Sequence, residues 1–255
     1  MIIRNKKEEE IIREAGRRLA RVLAAVKQAV RPGVTTEMLD EIAEKLIRDN
    51  GDIPAFKGYQ PDGAEYPYPA TLCTSVNDEI VHGIPGGREL KEGDIIGLDI
   101  GLTHDGLTTD MAETVAVGAI DADAKQLMDV TRGALAEGIA AARAGGRTGD
   151  IGHAIEAYVK EFGAGYGIVR ELGGHGVGRL VHERPYIPNF GALGDGDELI
   201  DGMVIALEPM LTEKGEHIFL ADDGYTFQTK NGARSAHFEH TIIVRSDGGE
   251  VVTRQ

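Results

Sequence analysis

Between Glu92 and Asp110 the chain reads EGDIIGLDIGLTHDGLTTD, two apolar strands joined by a polar turn. Asp99 falls near the end of the first strand and Asp110 at the start of the second. From Ile95 to Ile100 the strand period puts Ile95, Gly97 and Asp99 on one face and Ile96, Leu98 and Ile100 on the other. A carboxylate in so apolar a setting needs a partner, because burial without one is costly or strips it of its charge. An arginine is the simplest partner for a lone aspartate. The rest of this chain offers more acids instead.

Across 255 residues, 42 acidic side chains outnumber 27 basic ones and leave a formal charge of −15. That balance argues against a general binder of nucleic acid or anionic membranes, either of which needs a basic face. The single cysteine, Cys73, excludes an intrachain disulfide and a cysteine-built zinc module. The opening MIIRNKKEEE turns charged at once, so no signal peptide is expected, and no run approaches the ~18 apolar residues of a membrane span. Together these features predict a soluble, cytoplasmic protein with a sizeable core.

Apolar residues recur at helical spacing from Lys7 to Val30 and stop at Pro32-Gly33. Thr35 or Thr36 is expected to cap a second helix through Ile47, with Met38, Leu39, Ile42 and Leu46 as its buried stripe. Gly51 to Pro69 reads as an irregular surface loop, followed by strands at Thr71–Val76, Glu79–His82, Asp94–Ile100 and Asp110–Val117. After Gly118 the order begins again. An Ala-rich helix from Asp123 to Ala144 ends at Gly145-Gly146, Thr148 opens an amphipathic helix, and strands run from Gly167 to Val244.

A shift of 113 lays Gly33 on Gly146, Thr35 on Thr148 and Met38 on Ile151. LKEGDIIGLD (Leu90–Asp99) matches LIDGMVIALE (Leu199–Glu208), which lays Glu208 on Asp99. DMAETVAV from Asp110 resembles EHTIIV from Glu239, and IVHGIP beside LVHERP sets His82 against His182. The echo predicts two α+β halves, about 7–118 and 119–245, related by an approximate two-fold. They would form a single catalytic domain over 1–255, with one continuous sheet, one core and a shared polar seam.

Asp99, Asp110, Glu208 and Glu239 would then place four carboxylates together, which cannot all ionise without compensating charge. Two divalent cations would supply it. His175 in GGHGVG, without a counterpart in the first half, is the natural nitrogen ligand. Oxygen donors with one imidazole suit Co, Mn, Fe(II) or Zn, and a metal pair sharing carboxylates generates a bridging hydroxide and polarises a carbonyl. The glycines around His175 fit neither GxGxxG nor a phosphate loop, and neither HExxH nor GxSxG is present.

With these residues assembled, the chain resembles the type I methionine aminopeptidases of the pita-bread metallopeptidase superfamily. The likeness rests on NDEIVHGIP (Asn77–Pro85), LKEGDIIGLDIG, TTDMAETVAVG (Thr108–Gly118), GGHGVGRLVHERP (Gly173–Pro185), LEPM (Leu207–Met210) and FEHTIIV (Phe238–Val244), spread over almost the whole length. The resemblance implies a mostly antiparallel curved sheet with helices on its outer face. It implies that Asp110 and Glu239 bridge two metals, that Asp99 holds one, and that His175 and Glu208 complete the other. Glu208 would double as acid/base, His182 would steady the scissile carbonyl oxygen, and His82 would contact the scissile nitrogen. Tyr68, Cys73 and Tyr225 align with positions that line the methionine pocket. The implied substrates are nascent chains with an initiator methionine and a small second residue, met near the ribosome exit by a monomer.

The same resemblance admits a monovalent cation near Asn77 and Ser235. The chain departs from the family pattern in having Tyr225 for a common Trp, His237 for a frequent Gln, and a longer loop over residues 60–67. Two rivals remain at this stage, a proline-directed peptidase of the same fold and a catalytically silent binding protein.

Overall fold

A computed structural model describes residues 1–163 and 165–254 of the chain. Asp105 and Gly106, at the tip of the opening stretch, both take positive φ (45° and 78°), as a two-residue hairpin turn demands. They return the chain so that Ile95–His104 and Leu107–Ala116 pair along their whole length, longer than the sequence suggests, with Asp99 opposite Ala112.

Around this hairpin the first half supplies α1 (Lys6–Ala29), α2 (Thr36–Asp49), β1 (Ile53–Pro54), β2 (Leu72–Val76), β3 (Glu79–Val81), β4 (Ile95–His104) and β5 (Leu107–Ala116). The second half supplies α3 (Ala122–Ala141), α4 (Thr148–Phe162), β6 (Gly167–Ile168), β7 (Gly173–Gly176), β8 (Glu183–Pro188) and β9 (Val204–Leu207). It continues with β10 (Met210–Thr212), β11 (Ile218–Leu220), β12 (Phe227–Thr229), β13 (Ser235–Arg245) and β14 (Gly248–Val251). Eleven strands form one antiparallel sheet whose main path runs β1-β4-β5-β13-β9-β7-β8, while β11, β12 and β3 make a smaller one. No helix among the described residues is long and apolar enough to cross a membrane.

Strand alternation sorts the two faces of the sheet. Ile96, Leu98, Ile100 and Leu102 pack under Leu19, Leu23 and Val26 of α1 and Leu39, Ala43 and Ile47 of α2. Phe238, Ile242 and Val244 lie under Leu127 and Ala134 of α3 and Ile151, Ile155 and Val159 of α4. Each helix pair thus covers its own apolar cluster, the two largest among the described residues, and the sheet runs unbroken between them. The opposite face of the hairpin carries Asp99 and Asp110.

The helix starts and their backbone contacts match between the halves at a shift of 112 rather than 113. Thr36 and Thr148 are the first residues of α2 and α4, and each hydroxyl grips the backbone of the loop ahead of its half's central strand, at Gly86 and Asp197. Gly33 and Gly145, not Gly146, donate to the carbonyls of Leu90 and Leu199 at 2.8 Å. In this register Leu39, Ala43 and Ile47 match Ile151, Ile155 and Val159, all buried. Met38 falls one residue, about 100° of helix, off that stripe and is 48% exposed, against expectation. The Gly51–Pro69 segment also departs from its reading, because Asp52, Phe56 and Tyr68 within it are buried.

The halves join where β5 meets β13, through Phe238–Glu113, Glu239–Ala112 and His240–Met111. Beyond those three pairs, threonine hydroxyls hold the backbones together. Thr241 Oγ1 accepts from Asp110 N (2.9 Å) and donates to Asp110 O (2.8 Å), and Thr114 Oγ1 does the same for His237 N and O (2.8 and 2.9 Å). Replacing Thr241 with Val should leave Asp110 with two unpaired backbone groups and lower unfolding free energy by about 1–3 kcal/mol. Urea unfolding of the metal-free protein measures this, and an unchanged midpoint would contradict the clip.

Candidate metal centre

Three of the acids reach the seam from different strands and the fourth from a break between two. Asp99 comes from β4, Asp110 from β5 and Glu239 from β13, all buried. Glu208 lies in the break between β9 and β10, where Asn189 Nδ2 donates to its carbonyl at 3.0 Å and anchors the turned chain. His175 sits in the middle of β7, opposite Ala206. Asp110, His175 and Glu239 offer ligand atoms that all lie within 4.8 Å of one another. His175 Nε2 is 3.4 Å from Glu208 Oε1 and 4.0 Å from Asp110 Oδ2.

The glycines of GGHG are there for backbone clearance. A Cβ at Gly174 would stand 2.3 Å from Ala206 O, and one at Gly176 would stand 2.2 Å from Arg184 O. His175 Nδ1 lies 3.0 Å from Gly176 O; donating there puts the ring proton on Nδ1 and leaves Nε2 bare toward the acids. Strand pairing also supplies the first-half counterpart that the sequence did not reveal. Ser75 faces Gly97 as His175 faces Ala206, and its hydroxyl accepts from Gly83 N instead of ligating.

Burial and mutual repulsion raise the carboxyl pKa values of Asp110, Glu208 and Glu239 well above the usual range, and burial raises that of Asp99. Desolvation pushes His175 down to about 3 and His82 to about 4, so both rings are neutral at pH 7. Asp99 Oδ1 and Glu239 Oε1 are buried without a hydrogen-bond partner. The cleft they face is lined by Phe56, Tyr59, Pro61, Tyr68, Cys73, His82, His175, His182, Tyr225 and the four acids, with no lysine or arginine. Unpaired carboxylate oxygens beside a bare imidazole nitrogen form a donor set that fits divalent cations.

All the residues expected at the site share this one cleft. His82 takes φ +61° just after β3, a conformation that re-aims its ring out of the strand path. His182 stands at the mouth, its Nδ1 3.0 Å from the hydroxyl of Tyr59. Tyr68, Cys73 and Tyr225 join Phe56 and Val181 in one apolar cluster. The Tyr225 hydroxyl donates to Tyr66 O, and that of Tyr66 donates to Asp223 O, which ties the long 60–67 loop across the pocket. Phe56 and Tyr59 escaped the sequence reading because they lie in a loop without periodicity. Ser235 Oγ donates to the carbonyls of Asn77 and Glu79 at 3.3 and 3.0 Å, which brings together the positions named for a monovalent cation.

Similarity to known proteins extends over almost the whole chain. The profile of metallopeptidase family M24 matches residues 10–246. The methionine aminopeptidase of Clostridium perfringens is 42% identical over 253 residues, 99% of this chain and 98% of that protein. The crystal structure of methionine aminopeptidase from Thermotoga maritima superposes with a TM-score of 0.94 at 38% identity, covering 100% of both chains. The prolidase from Pyrococcus furiosus, at 21% identity and a TM-score of 0.76, shares the fold over 100% of this chain and 66% of its own.

Because burial raises the carboxyl pKa values, the metal-free site retains protons at pH values where a free carboxylate has lost them. An entering dication must displace those protons, so its apparent affinity should rise with pH between about 5 and 7.5. Calorimetric titration of chelator-treated protein with Mn(II), in two buffers of different ionisation enthalpy, should show net proton release. Affinity that stays flat or falls across this range would contradict the assignment.

Proposed function

The chain belongs to metallopeptidase family M24 and has the pita-bread fold, and we propose that it releases the initiator methionine from chains whose second residue is small. Metal-dependent removal of N-terminal methionine is the activity of its group. The observation that carries the finer reading is the convergence of four buried carboxylates and one bare imidazole nitrogen in a cleft without lysine or arginine.

In this reading Asp99, Asp110, His175, Glu208 and Glu239 hold two divalent ions. When bound, such ions supply the charge that four carboxylates require, acidify a water and polarise a carbonyl. The protein's own groups do the rest. Glu208, whose carboxyl pKa burial raises, takes the attacking water's proton and passes it to the leaving amine. Donation from the Tyr59 hydroxyl to His182 Nδ1 leaves the neutral ring's proton on Nε2, facing the carbonyl oxygen where negative charge develops. His82, neutral at pH 7, serves the scissile nitrogen by a hydrogen bond rather than with a proton of its own.

Phe56, Tyr68, Cys73, Val181 and Tyr225 form the apolar wall that takes the methionine side chain. The hydrogen bond to Tyr66 O fixes Tyr225 in that wall, and crowding rather than polar recognition selects the substrate. Newly made chains near the ribosome exit, met in the cytoplasm by a monomeric enzyme, are the substrates this reading assigns.

With Mn(II) or Co(II), the protein should free methionine from Met-Ala-Ser and leave Met-Leu-Ser and Ala-Pro peptides intact. Cleavage before proline with no methionine released would overturn the reading in favour of a prolidase-like activity. Glu208→Gln should cut kcat by about 10²–10⁴-fold while the fold persists by circular dichroism. Full turnover in that variant would remove Glu208 from its role.

A further inference from the structure

His237 is a buried imidazole that the mechanism above leaves idle. It lies two residues before Glu239 on β13, shares its face and is only 2% exposed. Its Nε2 has no hydrogen-bond partner and points between two of the acids, 3.8 Å from Glu208 Oε2 and 3.9 Å from Glu239 Oε2. The Thr114 hydroxyl clamps its backbone N–H and C=O, so the backbone that carries the ring is fixed.

Glu208 is therefore flanked by an imidazole on each oxygen, His175 Nε2 beside Oε1 at 3.4 Å and His237 Nε2 beside Oε2. An ionised carboxylate can only accept, so once bound cations have displaced the site's protons a ring nitrogen that faces two carboxylates pairs only when it carries hydrogen. Both separations lie somewhat beyond the ~3.2 Å reach of an N–H···O bond, and a small rotation of the Glu208 carboxylate closes the nearer one. A buried nitrogen left unpaired destabilises the protein unless another state of the site uses it.

We propose that His237 is a positioning residue of the metal centre, its Nε2–H donating to the Glu208 oxygen turned away from His175. One Glu208 oxygen is then left for the ion beside His175, and the other is held at a fixed angle for proton transfer. Partners of this kind set the orientation and basicity of a ligand, and their loss typically costs 10–100-fold in metal affinity or activity. The inference rests on the reading of Glu208 as both ligand and acid/base.

Two variants test it. His237→Phe keeps the ring's bulk and removes the donor, whereas His237→Gln restores an N–H at the same position. The phenylalanine variant should bind Mn(II) about 10-fold more weakly by calorimetry and lose about 10–100-fold in kcat on Met-Ala-Ser with KM little changed. Its metal-free form should melt at or above the wild-type temperature, because the unpaired buried donor is gone. The glutamine variant should recover most of the affinity and the rate.

His237→Leu gives the same comparison if the phenylalanine does not fit the site. Wild-type affinity and kcat in the donor-less variants would overturn the proposal, as would a glutamine variant as impaired as they are. If the wild-type protein released no methionine at all, the functional reading would fall, and the Mn(II) affinities would still decide the role of His237.

Discussion

Four carboxylates are withdrawn from water at one seam, where burial raises the pKa of each and repulsion raises those of Asp110, Glu208 and Glu239 further, and no lysine or arginine lines the cleft to relieve them. Most of the architecture serves to hold them there. Helices cover one face of the sheet, so alternation along β4, β5 and β13 commits every second residue to the other face. Threonine hydroxyls continue the β5–β13 joint where its backbone ladder stops, next to Asp110 and His237. The orphaned oxygens of Asp99 and Glu239 record the same tension, and the proposed cations would relieve it.

The two halves divide the work unequally on a shared frame. Helices superpose at a shift of 112, the histidine-bearing segments at 100 and the central strands at 109, so loops vary in length while the seam keeps its geometry. Where the second half has His175, the first has Ser75, whose hydroxyl accepts from Gly83 N. The proposed ligand set is thereby asymmetric, with the imidazole on one side only. His82 and His182 differ in the same spirit. One is turned inward by a strained backbone, and the other stands at the mouth, bonded to a tyrosine of the opposite half.

Much of this was legible in the sequence because strand periodicity and burial leave a trace one residue at a time. Asp99 stood out as the one charge in an alternating apolar run, and its twin Glu208 stood out by position. Register was harder to read. A one-residue error in the helical echo mispaired Gly33 with Gly146 and put Met38 in the core, since threonine occupies both Thr35 and Thr36. The pocket walls were the least legible. Phe56 and Tyr59 sit in a segment whose shape follows from contacts with distant strands, and the Thr114 and Thr241 clips depend on which strands pair. His237 was visible as a departure from the family pattern, but its unpaired nitrogen emerges only once Glu208 and Glu239 lie beside it.

The most direct test of the account is an anomalous difference map from crystals grown with Mn(II). The account predicts two peaks ~3.5–4 Å apart, ligated by Asp99, Asp110, His175, Glu208 and Glu239. No peak among these residues, or peaks only at the protein surface, would contradict it.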